Sequence, residues 1–182
     1  MKILILSLLL ISCGTKKAET VKPTPPPSSP SAATLGYAIS NLVIDIYNIN
    51  LQGKSCGYHN LNVTCPNGGA VEIIGTTRCS VSGASRTTSQ DLTYNMTNCS
   101  NIYSDSVLTL DGTLKSVGTA TDISGVLISE SLTQQATSEV LISMVSKKIP
   151  DYSKFCTFSI FVKQANASSL IKTTGTVCEK TF

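Results

Sequence analysis

The chain has 182 residues, no tryptophan and a single histidine. Aromatic residues are few, at 5%, so little ring surface is available for stacking on bases or sugars. Serine-protease, metalloprotease and ribonuclease-like sites need a histidine held by partners, and His59 alone would have to serve. Carboxylates do not cluster along the sequence. Asp91, Asp105, Asp111, Asp122 and Asp151 fall where strand ends and turns are expected, positions at which aspartate bonds local backbone. A glycosidase-like carboxylate pair would have to assemble in three dimensions. Gly68-Gly69 sits between two strand-like segments and opens no helix, so it is no phosphate loop. There is no basic stripe with interleaved aromatics, which removes the electrostatic footprint of nucleic-acid binding. No apolar run reaches the roughly 20 residues needed to cross a bilayer as a helix.

Only 14% of residues are charged, while Thr, Ser, Val and Ile are abundant. That balance reads as β-rich and extracytoplasmic. The formal net charge of +3 belongs to the amino-terminal region. Lys2, Lys16, Lys17 and Lys22 stand there against Glu19, and from Thr34 onward ten basic residues face ten acidic ones. The linker lysines keep that segment soluble, and near an anionic membrane each would add about 1 kcal/mol of attraction.

The first twelve residues have the layout of a secretory signal: Met1-Lys2, an apolar core from Ile3 to Ile11 broken only by Ser7, then small Ser12. Leu10-Ile11-Ser12-Cys13 resembles the lipobox of bacterial lipoproteins. The resemblance implies that the Cys13 thiol takes a diacylglycerol, that the leader is removed after Ser12, and that the new amino group is acylated, with palmitate among the chains. Several chains would anchor stably, since each buried methylene contributes about 0.8 kcal/mol and one chain alone is marginal. Gly14, rather than aspartate, follows the cysteine, which in lipoproteins of the enteric type points to the outer membrane.

Seven cysteines less Cys13 leave six: Cys56, Cys65, Cys79, Cys99, Cys156 and Cys178. An even number in an exported chain implies three disulfides. The simplest pairing joins sequence neighbours, Cys56 with Cys65, Cys79 with Cys99, and Cys156 with Cys178. Cys56, Cys65, Cys79 and His59 could instead be read as a zinc set, and His59 with one free cysteine as a nucleophile pair. In an oxidising compartment the disulfide reading is preferred, with His59 on a loop near a bridge and no cofactor or metal.

Three segments follow from composition: a signal peptide over 1–12, a lipidated tether over 13–33, and a domain over 34–182. The tether holds Pro23, Pro25, Pro26, Pro27 and Pro30, and as polyproline II it could reach up to ~60 Å. Residues 34–51 carry Leu35, Ala38, Ile39, Leu42, Val43, Ile46 and Ile49 at helical spacing, with Ser31 or Thr34 as cap. A strand from Leu42 to Leu51 competes with this reading.

From Cys56 onward alternating apolar segments separated by turn residues predict strands. They cover 60–65, 70–74, 77–82, 92–97, 107–114, 126–132, 140–145, 157–163 and 173–178. Asp111-Gly112 marks either a bulge in one long strand or a hairpin turn. The triplets at Asn62, Asn95, Asn98 and Asn166 reflect composition rather than glycosylation. The stretch from Lys147 to Phe155 is the least regular of the second half and the best place for a binding loop.

The runs Cys65-Pro66-Asn67-Gly68-Gly69-Ala70-Val71-Glu72-Ile73-Ile74-Gly75, Leu92-Thr93-Tyr94-Asn95-Met96-Thr97-Asn98-Cys99 and Leu108-Thr109-Leu110-Asp111-Gly112-Thr113-Leu114 resemble a pattern in uncharacterised lipoproteins and secreted β proteins of predatory and soil-dwelling Gram-negative bacteria. The resemblance implies a β fold and no particular activity.

The expected fold is mainly β with a minor α part: a curved antiparallel meander of about eight or nine strands with one amino-terminal amphipathic helix packed on it, a sandwich being second. The expected role is non-enzymatic, binding or structural, in a lipoprotein on the periplasmic or outer face of the outer membrane. Its partners would be the membrane through the lipid anchor and an envelope protein or glycan, with no nucleic acid. Lipid or lipoprotein handling by a concave sheet is the alternative, requiring an apolar cavity of several hundred Å³ between sheet and helix. A glycan-active enzyme is third.

Overall fold

The computed structural model describes residues 29–124, 126–166 and 170–182. The signal segment, Cys13 and most of the tether lie outside the described residues.

Helix α1 spans Ala32–Asn50. Ser31 caps it, its hydroxyl accepting from the Thr34 amide at 3.0 Å, so of the two candidate caps Ser31 serves. The helix therefore begins two residues earlier than the periodicity indicated, because Ala32 and Ala33 already form the first turn. The apolar stripe is the buried one: Leu35, Ala38, Ile39, Leu42, Val43 and Ile46 are at most 3% exposed. Ile49, at the helix end, is left in solvent.

Among the described residues, ten strands follow in one open antiparallel sheet: β1 Gly57–Thr64, β2 Ala70–Ser82, β3 Ser85–Tyr103, β4 Ser106–Ile123, β5 Val126–Ala136, β6 Val140–Ser146, β7 Tyr152–Cys156, β8 Phe158–Gln164, β9 Lys172–Val177 and β10 Lys180–Thr181. The sheet is a meander that forks at β4. The second half of β4 pairs with β5 (Leu114 opposite Ala136), and its first half pairs with β6 (Asp111 opposite Leu141). β5 and β6 thus run along the same edge of β4 as one bent strand. The next bent strand, β7 with β8, pairs with them in turn.

Several strands are longer than the alternation suggested. Residues 70–74 and 77–82 form one strand through Gly75, and Asp111-Gly112 lies inside β4. The register shift between Met96 and Cys99 shows that the irregularity there is a bulge and not a turn. Asp111 serves it directly, its carboxylate accepting from the Asn98 amide at 3.1 Å.

The sheet curls because some strand positions admit only glycine. At Gly118 φ is +152°, and a Cβ would land on the Ser131 carbonyl oxygen of β5. Gly75, at φ +147°, repeats the arrangement against the Asp91 carbonyl of β3. With no side chain the backbones approach and the strand creases. The concave face then receives α1, which packs chiefly on β9 and also touches β3, β8 and β10. The core between them holds Ile73, Leu92, Tyr94, Leu108, Leu110, Leu114, Ile142, Met144 and Ile160, each at most 1% exposed. Phe182 closes the remaining side, its ring lying over Gly36 and 6.3 Å from that of Tyr37.

Candidate functional site

Three disulfides staple the domain, and two of them differ from the neighbour-to-neighbour expectation. The pairs are Cys56 with Cys79, Cys65 with Cys99, and Cys156 with Cys178, with Cα separations of 5.8, 5.4 and 5.0 Å. Only the last matches the sequence reading. The reason is register. Gly57 opposite Thr77 brings Cys56 to the end of the β1–β2 ladder beside Cys79. Cys65 sits in the turn leaving β1, and that turn leans over β2 onto β3, where Asn67 donates to the Ser100 carbonyl and Ser100 donates to the Gly68 carbonyl, each at 2.9 Å. Cys99 at the bulge is then its neighbour.

His59 lies within β1, not on a loop. Its Nε2 is 2.7 Å from the Thr77 hydroxyl. Burial and then the nearby charge of Lys54 hold the imidazole below its usual pKa, so near neutral pH the neutral ring is favoured. Cys56, Cys65 and Cys79, the other members of the conjectured zinc set, are all in bridges. Among the described residues, no group of three His, Cys, Asp or Glu side chains is placed to hold a metal ion. Arg86 ties this corner together, reaching the Lys54 carbonyl and lying within 3.3 Å of the sulfurs of both Cys56 and Cys79.

The aspartates divide between strands and turns. Asp91 and Asp111 sit within β3 and β4, contrary to the expectation that all five mark ends or turns. Asp91 pairs with Lys115 at 2.9 Å and Asp105 with Lys148 at 2.5 Å, both in solvent. The Lys148 ammonium pulls the Asp105 carboxyl below its ordinary pKa, and Lys148 is raised in return. Glu72 accepts from the Asn95 amide at 2.9 Å, and Asp45 on α1 accepts from Asn101 at 2.7 Å. The stretch from Lys147 to Phe155 is only partly a loop, since β7 begins at Tyr152. Tyr152 points inward, its hydroxyl 3.2 Å from the Cys178 sulfur.

The least anticipated feature is a polar floor beneath the carboxyl-terminal half of α1. Thr77, Thr88, Gln90, Ser116, Glu130 and Gln134 are each at most 5% exposed. Register puts them on the concave face of neighbouring strands: Thr77 opposite Gln90, Ser116 opposite Gln134, and Glu130 opposite Ala120, itself opposite Thr88. Gln90 donates to the Ser116 hydroxyl at 3.0 Å. Among the described residues, both amide atoms of Gln134, one carboxylate oxygen of Glu130 and the Tyr94 hydroxyl find no hydrogen-bond partner. Burial alone pushes the Glu130 carboxyl up, and burial above all, with Tyr47 adding to it, pushes up the Tyr94 phenol. Tyr47 of α1 is also raised by burial, opposed by its bond to Thr88 and the charge of Arg86.

The alternation in the sequence carries this signal. Gln90, Glu130 and Gln134 each share the phase of buried apolar neighbours (Leu92 and Leu132), a position where charge or amide is costly unless bonded.

The space left above the floor is small. Val43, Ile44, Tyr47 and Asn48 of α1 and Leu127, Glu130 and Leu132 of β5 enclose about 10 Å³, close to what one water molecule needs. Larger hollows are open and superficial. One of about 450 Å³ lies along β2 and β3 by Arg78 and Asp91, and one of about 650 Å³ lies where the chain meets α1, between Tyr103 and Ile149. Compared with protein-family models, with curated proteins and with solved structures, the chain has no match.

Proposed function

We propose that this chain is an exported lipoprotein, held at the outer membrane by lipid on Cys13, whose disulfide-stapled domain has a non-enzymatic binding or structural role in the envelope. The observation that carries the reading is the isolation of Cys13. The other six cysteines pair within the fold, and the seventh stands directly behind the apolar leader in Leu10-Ile11-Ser12-Cys13. Three bridges suit an oxidising compartment. The proline-rich stretch ends where Ser31 caps α1, which suits a spacer between anchor and domain. An envelope protein or glycan is the class of partner that such a position offers.

The lipid-carrier alternative is weakened by the filled concavity. An acyl chain needs several hundred Å³, and the spaces between α1 and the sheet hold about 10 Å³ at its carboxyl-terminal half and about 100 Å³ at its start.

Mass spectrometry of the chain purified from membranes tests the proposal. The amino-terminal peptide should begin at Cys13 and carry a diacylglycerol and an amide-linked acyl chain. Cys13→Ser should keep its leader and lose lipid. A lipid-free Cys13 in the processed wild-type chain would overturn the reading.

A further inference from the structure

The two ends of the domain differ in charge. One end holds Ser29, the cap of α1, the β3–β4 turn and the β6–β7 loop, which meet around a single hollow. The other end is fixed by register. Ser85 lies opposite both Ser82 and Ile123, Ile123 lies opposite Val126, and the Ser124 amide donates to the Ala84 carbonyl at 3.4 Å. The β2–β3 and β4–β5 tips are therefore side by side. Lys163 opposite Lys172 brings the start of β9 to the same end, next to the Glu130–Gln164 pair. The end of α1 joins them, with Tyr47 and Asn48 against Ala120 and Leu127.

This tip end is basic within a domain that is neutral as a whole. Lys54, Arg78, Arg86, Lys163 and Lys172 lie there, against half-buried Asp122, buried Glu130 and Asp91, which shares a hollow with Arg78 but is paired with Lys115. Asp45, Glu72, Asp105, Asp111, Glu139, Asp151 and Glu179 lie toward the other end and the waist, with Lys147, Lys148, Lys154 and Lys180 among them. The tips also leave aliphatic side chains in solvent: Leu170 is 87% exposed, Val81 69%, Ile49 67% and Val126 65%.

We infer that this end docks on an anionic lipid surface, with the aliphatic tips entering the acyl boundary and the flanking lysines and arginines at the headgroups. Charge complementarity selects the sign of the surface. The character of the apolar groups selects lipid over protein. Interface cores between proteins are rich in aromatic residues and close-packed, whereas here single aliphatic side chains stand on separate tips, an arrangement a fluid surface accommodates. The contact lies at the end away from the tether and does not depend on lipid at Cys13.

Vesicle sedimentation tests this with the chain lacking its twelve-residue leader and carrying Cys13→Ser, so that no lipid anchor contributes. Wild-type tips should bind vesicles containing phosphatidylglycerol at low salt and bind pure phosphatidylcholine at least about tenfold less, since each basic residue near an anionic surface is worth roughly fivefold in partitioning. Lys163→Glu with Lys172→Glu, and separately Val126→Asp with Leu170→Asp, should each lower binding at least about fivefold. Lys147→Glu with Lys154→Glu, at the other end, should leave it unchanged. Circular dichroism checks that each variant is folded, and Val126→Ser with Leu170→Ser replaces the aspartate pair if that pair unfolds. Equal binding to both vesicle types, tip variants that bind as wild type, or capture of an acidic protein with no vesicle binding would each overturn the assignment. Vesicle binding by a chain whose Cys13 proves lipid-free in cells would sustain it while the lipoprotein proposal fell.

Discussion

Glu130→Gln should make the protein more stable at neutral pH. Glu130 is 5% exposed, one of its carboxylate oxygens has no partner, and no lysine or arginine lines the small space it faces. Its folded pKa is raised by burial. Below the ordinary carboxylate pKa the group is protonated in both folded and unfolded chains, and its contribution to stability is fully present. As pH rises, the unfolded chain ionises first while the folded chain keeps its proton. The folded state then binds more protons, so stability falls with pH until the folded carboxyl also titrates. Glutamine keeps the shape and removes the titration. An unsatisfied buried polar group costs about 1–3 kcal/mol, and more when charged, so a gain of about 2 kcal/mol is expected near pH 7. For a domain of this size that is a rise in Tm of roughly 6 °C. Thermal melts of wild type and variant across the acid-to-neutral range measure the difference, which cancels the contribution of every other carboxylate. The difference should vanish in acid and open as pH rises through and above the ordinary carboxylate pKa. A variant equally or less stable than wild type at pH 7 would refute the reasoning, because it would mean that ionised Glu130 is well satisfied.

Other outcomes follow from the bridges and the creased strands. Peptide mapping without reduction should recover Cys56 linked to Cys79 and Cys65 linked to Cys99, and replacing Cys65 and Cys99 by serine should cost about 3–4 kcal/mol in denaturant melts, from the long loop that the bridge closes. Gly118→Ala should destabilise by at least about 2 kcal/mol, since the new Cβ meets the Ser131 carbonyl at a φ that alanine rarely adopts. An Ala substitution at Gly83, which sits on a tip with open space around its Cα, should cost less, the difference between the two separating crowding from backbone strain.

The elements were legible where local chemistry and burial agree. The stripe from Leu35 to Ile46 has one period and one buried face, and Ser31 stands where a cap belongs. Phe158, Ile160 and Val162 alternate as a half-buried strand must, and are buried. The six domain cysteines are legible as bridging, and so is the pairing of Cys156 with Cys178, but the partners of the other four are not, because their pairing depends on the register of β1 on β2 and on how the turn after β1 leans across β2. Strand lengths were underread for a similar reason. Gly75 and Asp111-Gly112 look like punctuation in a linear text, yet here they crease or bulge strands that continue. The polar floor escaped notice because Thr88, Gln90, Ser116, Glu130 and Gln134 lie far apart in the chain and meet only through the registers of β3, β4 and β5. Glu130 was visible in an apolar phase, but only the fold shows that its neighbours leave it unbonded.

The path of the chain through the meander also bears on how the molecule assembles. From β1 to β5 each strand pairs with the one before it, so hairpins can form early from nearby residues, and the sheet can lengthen one neighbour at a time. Helix α1 is different. Its main surface is β9, with Phe182 over Gly36, so its apolar stripe is fully covered only once the chain out to Lys172 and beyond is in place. Closing that span costs entropy that grows only slowly with its length, but the closure has nothing to hold it until the sheet is complete. A helix that precedes the whole sheet in the chain thus completes its burial against the last strands, and its docking separates a finished molecule from a partly assembled one with an open, sticky groove.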